Sequence, residues 1–143
     1  MSCYSPAMAI KRVNPAEAAE LMAQGWTYVD VRTIPEFDAG HPSGAFNVPL
    51  LHQGDAGRTP NPDFMAVMSA SFDKAQKLVL GCRSGKRSLR AAAQLVDAGY
   101  EHVVDMEGGY LGDGSCEGWQ PRGLAIDQTA VAGRTYAELQ KAK

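Results

Sequence analysis

Lys77-Leu78-Val79-Leu80-Gly81-Cys82-Arg83-Ser84-Gly85-Lys86-Arg87-Ser88-Leu89-Arg90 is the stretch that decides the fold. Its first six residues form a short, mostly apolar run, the pattern of a strand buried in a parallel sheet. Gly85 marks a tight turn after it. From Lys86 onward Leu89, Ala92, Ala93, Leu95 and Val96 recur at helical spacing, and Gly99 supplies a stop. His102-Val103-Val104-Asp105-Met106 then reads as the next strand. Strand, turn, helix and strand in this order predict an α/β domain, with right-handed crossovers and helices covering both faces of the sheet.

Upstream, the same alternation continues. Asn14-Pro15-Ala16-Glu17 has a capping residue, a proline suited to the first turn and an acid at the reciprocal position, so a helix starts there and turns Leu21 and Met22 inward. Gly25 ends it, and Trp26 to Val31 follows as a strand. Gly40-His41-Pro42-Ser43-Gly44 is a turn-rich junction leading into a short strand within Ala45 to Pro49. His52 to Pro60 reads as a loop. A helix from about Pro62 to Ala75 carries Phe64, Val67, Met68 and Phe72 at core spacing. Downstream, glycines from Gly108 to Gly118 punctuate a loop containing Cys116 and ending near Trp119, and the tail from Thr129 to Lys143 reads as a modest surface helix. No repeat or interdomain linker is visible. The expected organisation is one domain over residues 10–125 with a C-terminal extension over 126–143.

With 143 residues, 45% of them hydrophobic, the chain suits one core. A net charge of -2 argues against nucleic-acid binding through bulk positive charge, and no apolar span reaches the length of a membrane helix. The start is unlike a secretory signal, because its first positive charges follow the small apolar stretch. Three cysteines, Cys3, Cys82 and Cys116, are too few for a disulfide scaffold and form no CxxC pair for zinc. These features predict a cytoplasmic protein in a reducing compartment, with neither nucleic acid nor membrane as a partner.

The chemistry concentrates at the exit of the strand ending in Cys82, since open α/β sheets bind ligands beyond the carboxyl ends of their strands. From Cys82 to Arg90 there are four cationic side chains and no acidic one. A turn of inward amides capped by a helix start holds an anion, and cations strengthen the hold. Thiolates, the nucleophilic form of cysteine, are favoured in such a field. Cys82 is therefore the candidate nucleophile, and Arg83, Ser84, Gly85, Lys86 and Arg87 the candidate anion cradle. The competing reading of Cys82 is an inert thiol buried at a strand end. Arg90, further along, fits a solvated helix face equally well.

The pattern C-x-x-G-x-R, formed by Cys82, Gly85 and Arg87, resembles the active-site loop of rhodanese-type sulfurtransferases. Asp30-Val31-Arg32, Glu36-Phe37, Gly40-His41 and Gly44-Ala45-Phe46-Asn47-Val48-Pro49 resemble two further signatures of that family, and Gly108-Gly109-Tyr110 resembles the turn after its last core strand. Together these cover about Pro15 to Trp119. The resemblance implies a rhodanese-like three-layer domain with a central parallel sheet flanked by helices. It also implies double-displacement sulfur transfer: thiosulfate, or another sulfane-sulfur donor, would persulfidate Cys82, and cyanide, a small thiol or a protein thiol would collect the sulfur. No metal or other cofactor is called for. Asp30, Arg32 and His41 are expected to support the site rather than touch the donor, and Glu36 is a candidate partner of Arg32 over a short turn.

Two departures stand out. The segment Leu111 to Gly118 is longer and richer in glycine than the family's usual link to its tryptophan. Within it Cys116 reads as an incidental exposed thiol, with resolution of a Cys82 persulfide to a disulfide as the alternative. Two other functions compete with sulfur transfer from thiosulfate. One is a persulfide carrier or regulatory binding module that receives sulfur from a protein donor. The other is phosphatase or arsenate reductase chemistry, against which the loop length speaks: four residues separate Cys82 from Arg87, one fewer than in the related phosphatase signature.

Overall fold

The computed structural model describes residues 10–142, so Cys3 lies outside the described residues. In chain order the elements are β1 (Lys11–Val13), α1 (Pro15–Ala23), β2 (Thr27–Asp30), α2 (Ile34–Ala39), β3 (His41–Pro42), β4 (Phe46–Asn47), β5 (Leu51–Gly54), β6 (Gly57–Pro60), α3 (Phe64–Ser71), β7 (Lys77–Gly81), α4 (Lys86–Asp97), β8 (His102–Met106), β9 (Ile126–Asp127) and α5 (Tyr136–Ala142). A five-stranded parallel sheet in the order β1-β8-β7-β2-β4 forms the middle layer. The three-layer α/β architecture read from the sequence is the one observed.

Alternation along the strands builds the two outer layers. Leu78, Leu80 and Cys82 face one core with Val29, Val103 and residues of α3, α4 and α5. Tyr28, Val79, Val104 and Met106 face the other, with Ala18 of α1, Phe37 of α2, Tyr110 and Trp119. Strand β7 is central, flanked by β2 and β8, so the residue that leaves its carboxyl end emerges between two neighbouring strands. That residue is Cys82.

Local signals explain the helix starts. Asn14 Oδ1 accepts from the Glu17 amide at 2.8 Å while Glu17 Oε1 accepts from the Asn14 amide at 2.9 Å, the capping box expected for α1. Thr33 and Glu36 form a second capping box at α2.

Three expectations are corrected. The segment read as a loop from His52 to Pro60 is a hairpin: β5 and β6 pair antiparallel from Leu51↔Pro60 to Gly54↔Gly57, around Asp55-Ala56. Its residues are mostly exposed and polar, so hydrophobic alternation had nothing to report. Helix α3 is shorter than 62–75 because Phe72 leaves it in an extended conformation, at φ -134° and ψ 131°, and sinks into the core next to Phe46. The C-terminal helix is confined to Tyr136–Ala142, and Tyr136 and Leu139 are buried in the α3–α4 core rather than lying on the surface. β9 pairs with β3, which fastens the same segment to the domain a second time. Among the described residues no helix is long and apolar enough to cross a membrane.

Candidate active site

Strand β7 delivers Cys82 to the carboxyl edge of the sheet, where the residue is only 1% exposed. The Gly85 amide donates to Cys82 Sγ at 3.0 Å, closing the loop back on its own sulfur. Gly85 sits in the left-handed region at φ 100° and is the N-cap of α4, which has no side-chain cap. The first amides of that helix therefore lack an intrahelical partner and remain available to an anion. Arg83 and Lys86 are exposed on this loop, with no ion-pair partner among the described residues.

The loop is braced from behind by the turn after β8. The Tyr110 amide donates to the Cys82 carbonyl at 2.7 Å and the Leu111 amide to the Arg83 carbonyl at 3.0 Å. This closeness requires Gly109, at φ 65°: a Cβ there would stand 2.5 Å from the Arg83 carbonyl. From the other side Arg12 of β1, bonded through Nε to the buried Asp105 at 2.8 Å, donates from Nη2 to the Gly85 carbonyl at 3.3 Å. Because a trans peptide sets C=O and N–H in opposite directions, Arg12 holds the Lys86 amide pointing away from itself, out of the helix start. Burial pushes the Asp105 carboxyl up, with Ser88 and Arg12 opposing it.

The arginine that ends the loop has a different partner from the one expected. Arg87 is buried and grips Glu36 of α2 with both terminal nitrogens, at 2.8 and 3.0 Å. Its side-chain charge is spent on that carboxylate, which leaves its backbone as its part of the cradle. Glu36 was a candidate partner for Arg32; it instead accepts Arg87 and stands 3.4 Å from Arg58 of β6. Burial works against the Glu36 charge, yet the bonds from Arg87 and Thr33 outweigh it and hold the carboxyl at about 2, against an ordinary 4.5.

Asp30 and Arg32 form a buried ion pair, 2.7 Å at its closest, and Arg32 also donates to the Gly40 carbonyl and lies 4.3 Å over the Tyr110 ring. Asn47 ties the same bend together by donating to the carbonyls of Asp30 and Arg32. His41 is buried, stacked on Phe37 at 3.7 Å, and its Nδ1 donates to the Phe37 carbonyl. Asp30 and Arg32 thus shape the wall beside the loop, while His41 packs within α2 and β3. Next to the loop lies a pocket of about 360 Å³, lined by Arg32, Glu36, Arg58, Arg83, Tyr110 and Leu111, with Ala39 and Gly40 completing it. Among the described residues no cluster of side chains could hold a metal ion.

A family model for the rhodanese-like domain matches residues 14–116. The chain belongs to the rhodanese-like domain family. This rhodanese-like domain is 39% identical over 112 residues to thiosulfate sulfurtransferase 16, chloroplastic, of Arabidopsis thaliana, covering 78% of this chain and 88% of that one. It is 44% identical to the senescence-associated protein DIN1 of Raphanus sativus over 66% of its own length, but spans only about half (51%) of that relative. The crystal structure of Rv0390 from M. tuberculosis superposes with a TM-score of 0.70 at 25% identity, covering 83% of this chain and 98% of that one. The family thus includes proteins named as thiosulfate sulfurtransferases.

Within this rhodanese-like domain Cys116 is half-buried, not freely exposed. Its Sγ lies 3.6 Å from the Glu107 carbonyl and 3.6 Å from Arg122 Nη2, where a Cβ on Gly108 would meet it. Arg12, Asp105 and Arg58 escaped the sequence reading as site residues. Arg12 and Asp105 lie in no motif and meet only through the β1–β8 register, in which Arg12 pairs with Asp105. Arg58 reaches the site only because the polar segment forms a hairpin.

Proposed function

We propose that this rhodanese-like domain is a thiosulfate sulfurtransferase that works through a persulfide on Cys82. The observation that carries the reading is the Gly85 amide donating to Cys82 Sγ at 3.0 Å in a loop that runs into an uncapped helix start. Preorganised amides of this kind favour negative charge on the sulfur and on the sulfur donor without reorganising during the reaction. Arg83 and Lys86 add attraction for a dianion at the mouth of the loop.

In the first half-reaction the Cys82 thiolate attacks the sulfane sulfur of thiosulfate. A new S–S bond forms at Cys82, the S–S bond of thiosulfate breaks, and sulfite leaves with the electron pair. In the second, cyanide or a thiolate attacks the outer sulfur of the persulfide and Cys82 leaves as the thiolate, ready for the next turnover. No general base is needed for the attack, consistent with His41 being engaged with Phe37. The free thiols of Cys82 and Cys116 suit a reducing, cytoplasmic setting.

The test is two-substrate kinetics of thiocyanate formation from thiosulfate and cyanide. Parallel double-reciprocal lines, with activity abolished in Cys82→Ser, support the mechanism. Intersecting lines, or activity surviving in Cys82→Ser, exclude it. Sulfur accepted only from a persulfidated protein, never from thiosulfate, would instead make the domain a carrier.

A further inference from the structure

The amide loop already accounts for a five-atom inorganic donor, and the adjoining pocket is far larger than that donor needs. At about 360 Å³ it falls within the range of sites for small organic molecules, about 300–1,000 Å³. Its charges do not balance. Arg32 is committed to Asp30, and the single carboxylate in the lining, Glu36, is gripped bidentately by Arg87. Arg58, held only by a looser 3.4 Å approach to Glu36, and Arg83, with no partner among the described residues, are left in excess. Apolar surface in the same lining comes from Leu111, 44% exposed, with the mostly buried Tyr110 beside it. Cys82 is not itself in the lining; the pocket adjoins its loop through Arg83, the next residue in the chain, and through Tyr110, whose amide is bonded to the Cys82 carbonyl.

Resting on the sulfur-transfer reading above, we propose that this pocket selects the acceptor, and that the acceptor is a small organic thiol bearing one or more carboxylates. Arg58, carried over the site by the β5–β6 hairpin, is the specificity-determining residue. Its guanidinium, together with that of Arg83, receives the acid groups, while the carbon skeleton lies along Tyr110 and Leu111. The thiol end points to the loop. There the acceptor sulfur bonds to the outer sulfur of the persulfide, the bond from that sulfur to Cys82 Sγ breaks, and Cys82 departs with the electron pair. The acceptor leaves as its own persulfide, and the proton it brought as a thiol passes to the released sulfur or to water. No further oxidant or reductant enters.

The experiment loads Cys82 with inorganic polysulfide, so that it does not depend on thiosulfate, and follows sulfur transfer to mercaptosuccinate and to neutral 2-mercaptoethanol. Rate constants are expressed per thiolate, at low ionic strength. The parent protein is expected to prefer mercaptosuccinate by about 10-fold, because at low ionic strength salt screens the attraction of two guanidinium groups for the acid groups only weakly. In Arg58→Ala the ratio should fall to about twofold, and Arg58→Lys should recover part of it. Equal constants in the parent, or an undiminished ratio in Arg58→Ala, would overturn the proposal. A second measurement separates this claim from sulfur transfer: calorimetric binding of S-methyl mercaptosuccinate, which cannot react. Binding that is present in the parent and lost in Arg58→Ala supports the pocket even if no persulfide forms; no binding in the parent refutes it.

Discussion

Glu36 shows how one side chain joins the fold to the site. Its carboxylate caps α2, anchors Arg87 and lies within reach of Arg58, so it connects the helix after β2, the end of the nucleophile loop and the hairpin. Since its folded value of about 2 lies below the ordinary 4.5, the charged form is favoured by folding. The stabilisation is fully present above about pH 4.5 and is lost as the pH falls towards about 2. Glu36→Gln should therefore lower the urea midpoint at pH 7 and flatten its decline across that acid window; an unchanged decline would count against the pairing. Arg87→Ala removes the bidentate partner of the same carboxylate and is expected to destabilise the protein by about 1–3 kcal/mol in denaturant titrations and to slow persulfide formation more than Arg90→Ala, since the Arg90 side chain is exposed. Replacing Cys116 by serine should leave the rate of the first half-reaction unchanged, because its sulfur faces the Glu107 carbonyl and Arg122.

At the scale of elements, the β7–loop–α4 unit is the part the sequence states most clearly. An apolar run, a glycine that must take φ 100°, and a helix with Ala92 and Leu95 buried and Leu89, Ala93 and Val96 packed against the same core are all local requirements, so the residues display them directly; the buried Ala91 is an inward position that the sequence reading did not name. The Asn14–Glu17 capping box is legible for the same reason, whereas α2 with its Thr33–Glu36 box is not among the elements read from the sequence. What could not be read are contacts made across the sheet or through exposed polar pairing. Arg12 and Asp105 are 93 residues apart and become neighbours only when β1 joins β8, and Arg58 enters the site on a hairpin whose strands carry no hydrophobic alternation. Glu36 was placed near the correct turn, but its partner lies 51 residues away. The Arg12 bridge carries its own prediction. Arg12→Met should slow persulfide formation by about 10-fold with Asp105→Asn milder, because the Gly85–Lys86 peptide loses the charged group that orients it. Stopped-flow rates equal to those of the parent would remove Arg12 from the account of the site.

Over the whole molecule, the sheet supplies rigidity and the connections supply chemistry. The nucleophile loop, the bend at Asp30–Arg32, the hairpin and the turn at Gly108–Tyr110 all gather at one edge, each fastened to a different strand or helix. The C-terminal segment belongs to the same unit. Tyr136 exchanges hydrogen bonds with Asn61, and Leu139 is buried against the α3 side of the core, so Leu139→Ala should cost about 2–3 kcal/mol in unfolding free energy. Everything proposed for the site depends on Cys82 carrying sulfur covalently between donor and acceptor. The most direct measurement of that step is intact-protein mass after brief exposure to thiosulfate, without acceptor. Gain of a single sulfur atom that is reversed by cyanide and absent from Cys82→Ala is the predicted result. An unmodified mass in the parent protein, or the same gain in Cys82→Ala, would contradict it.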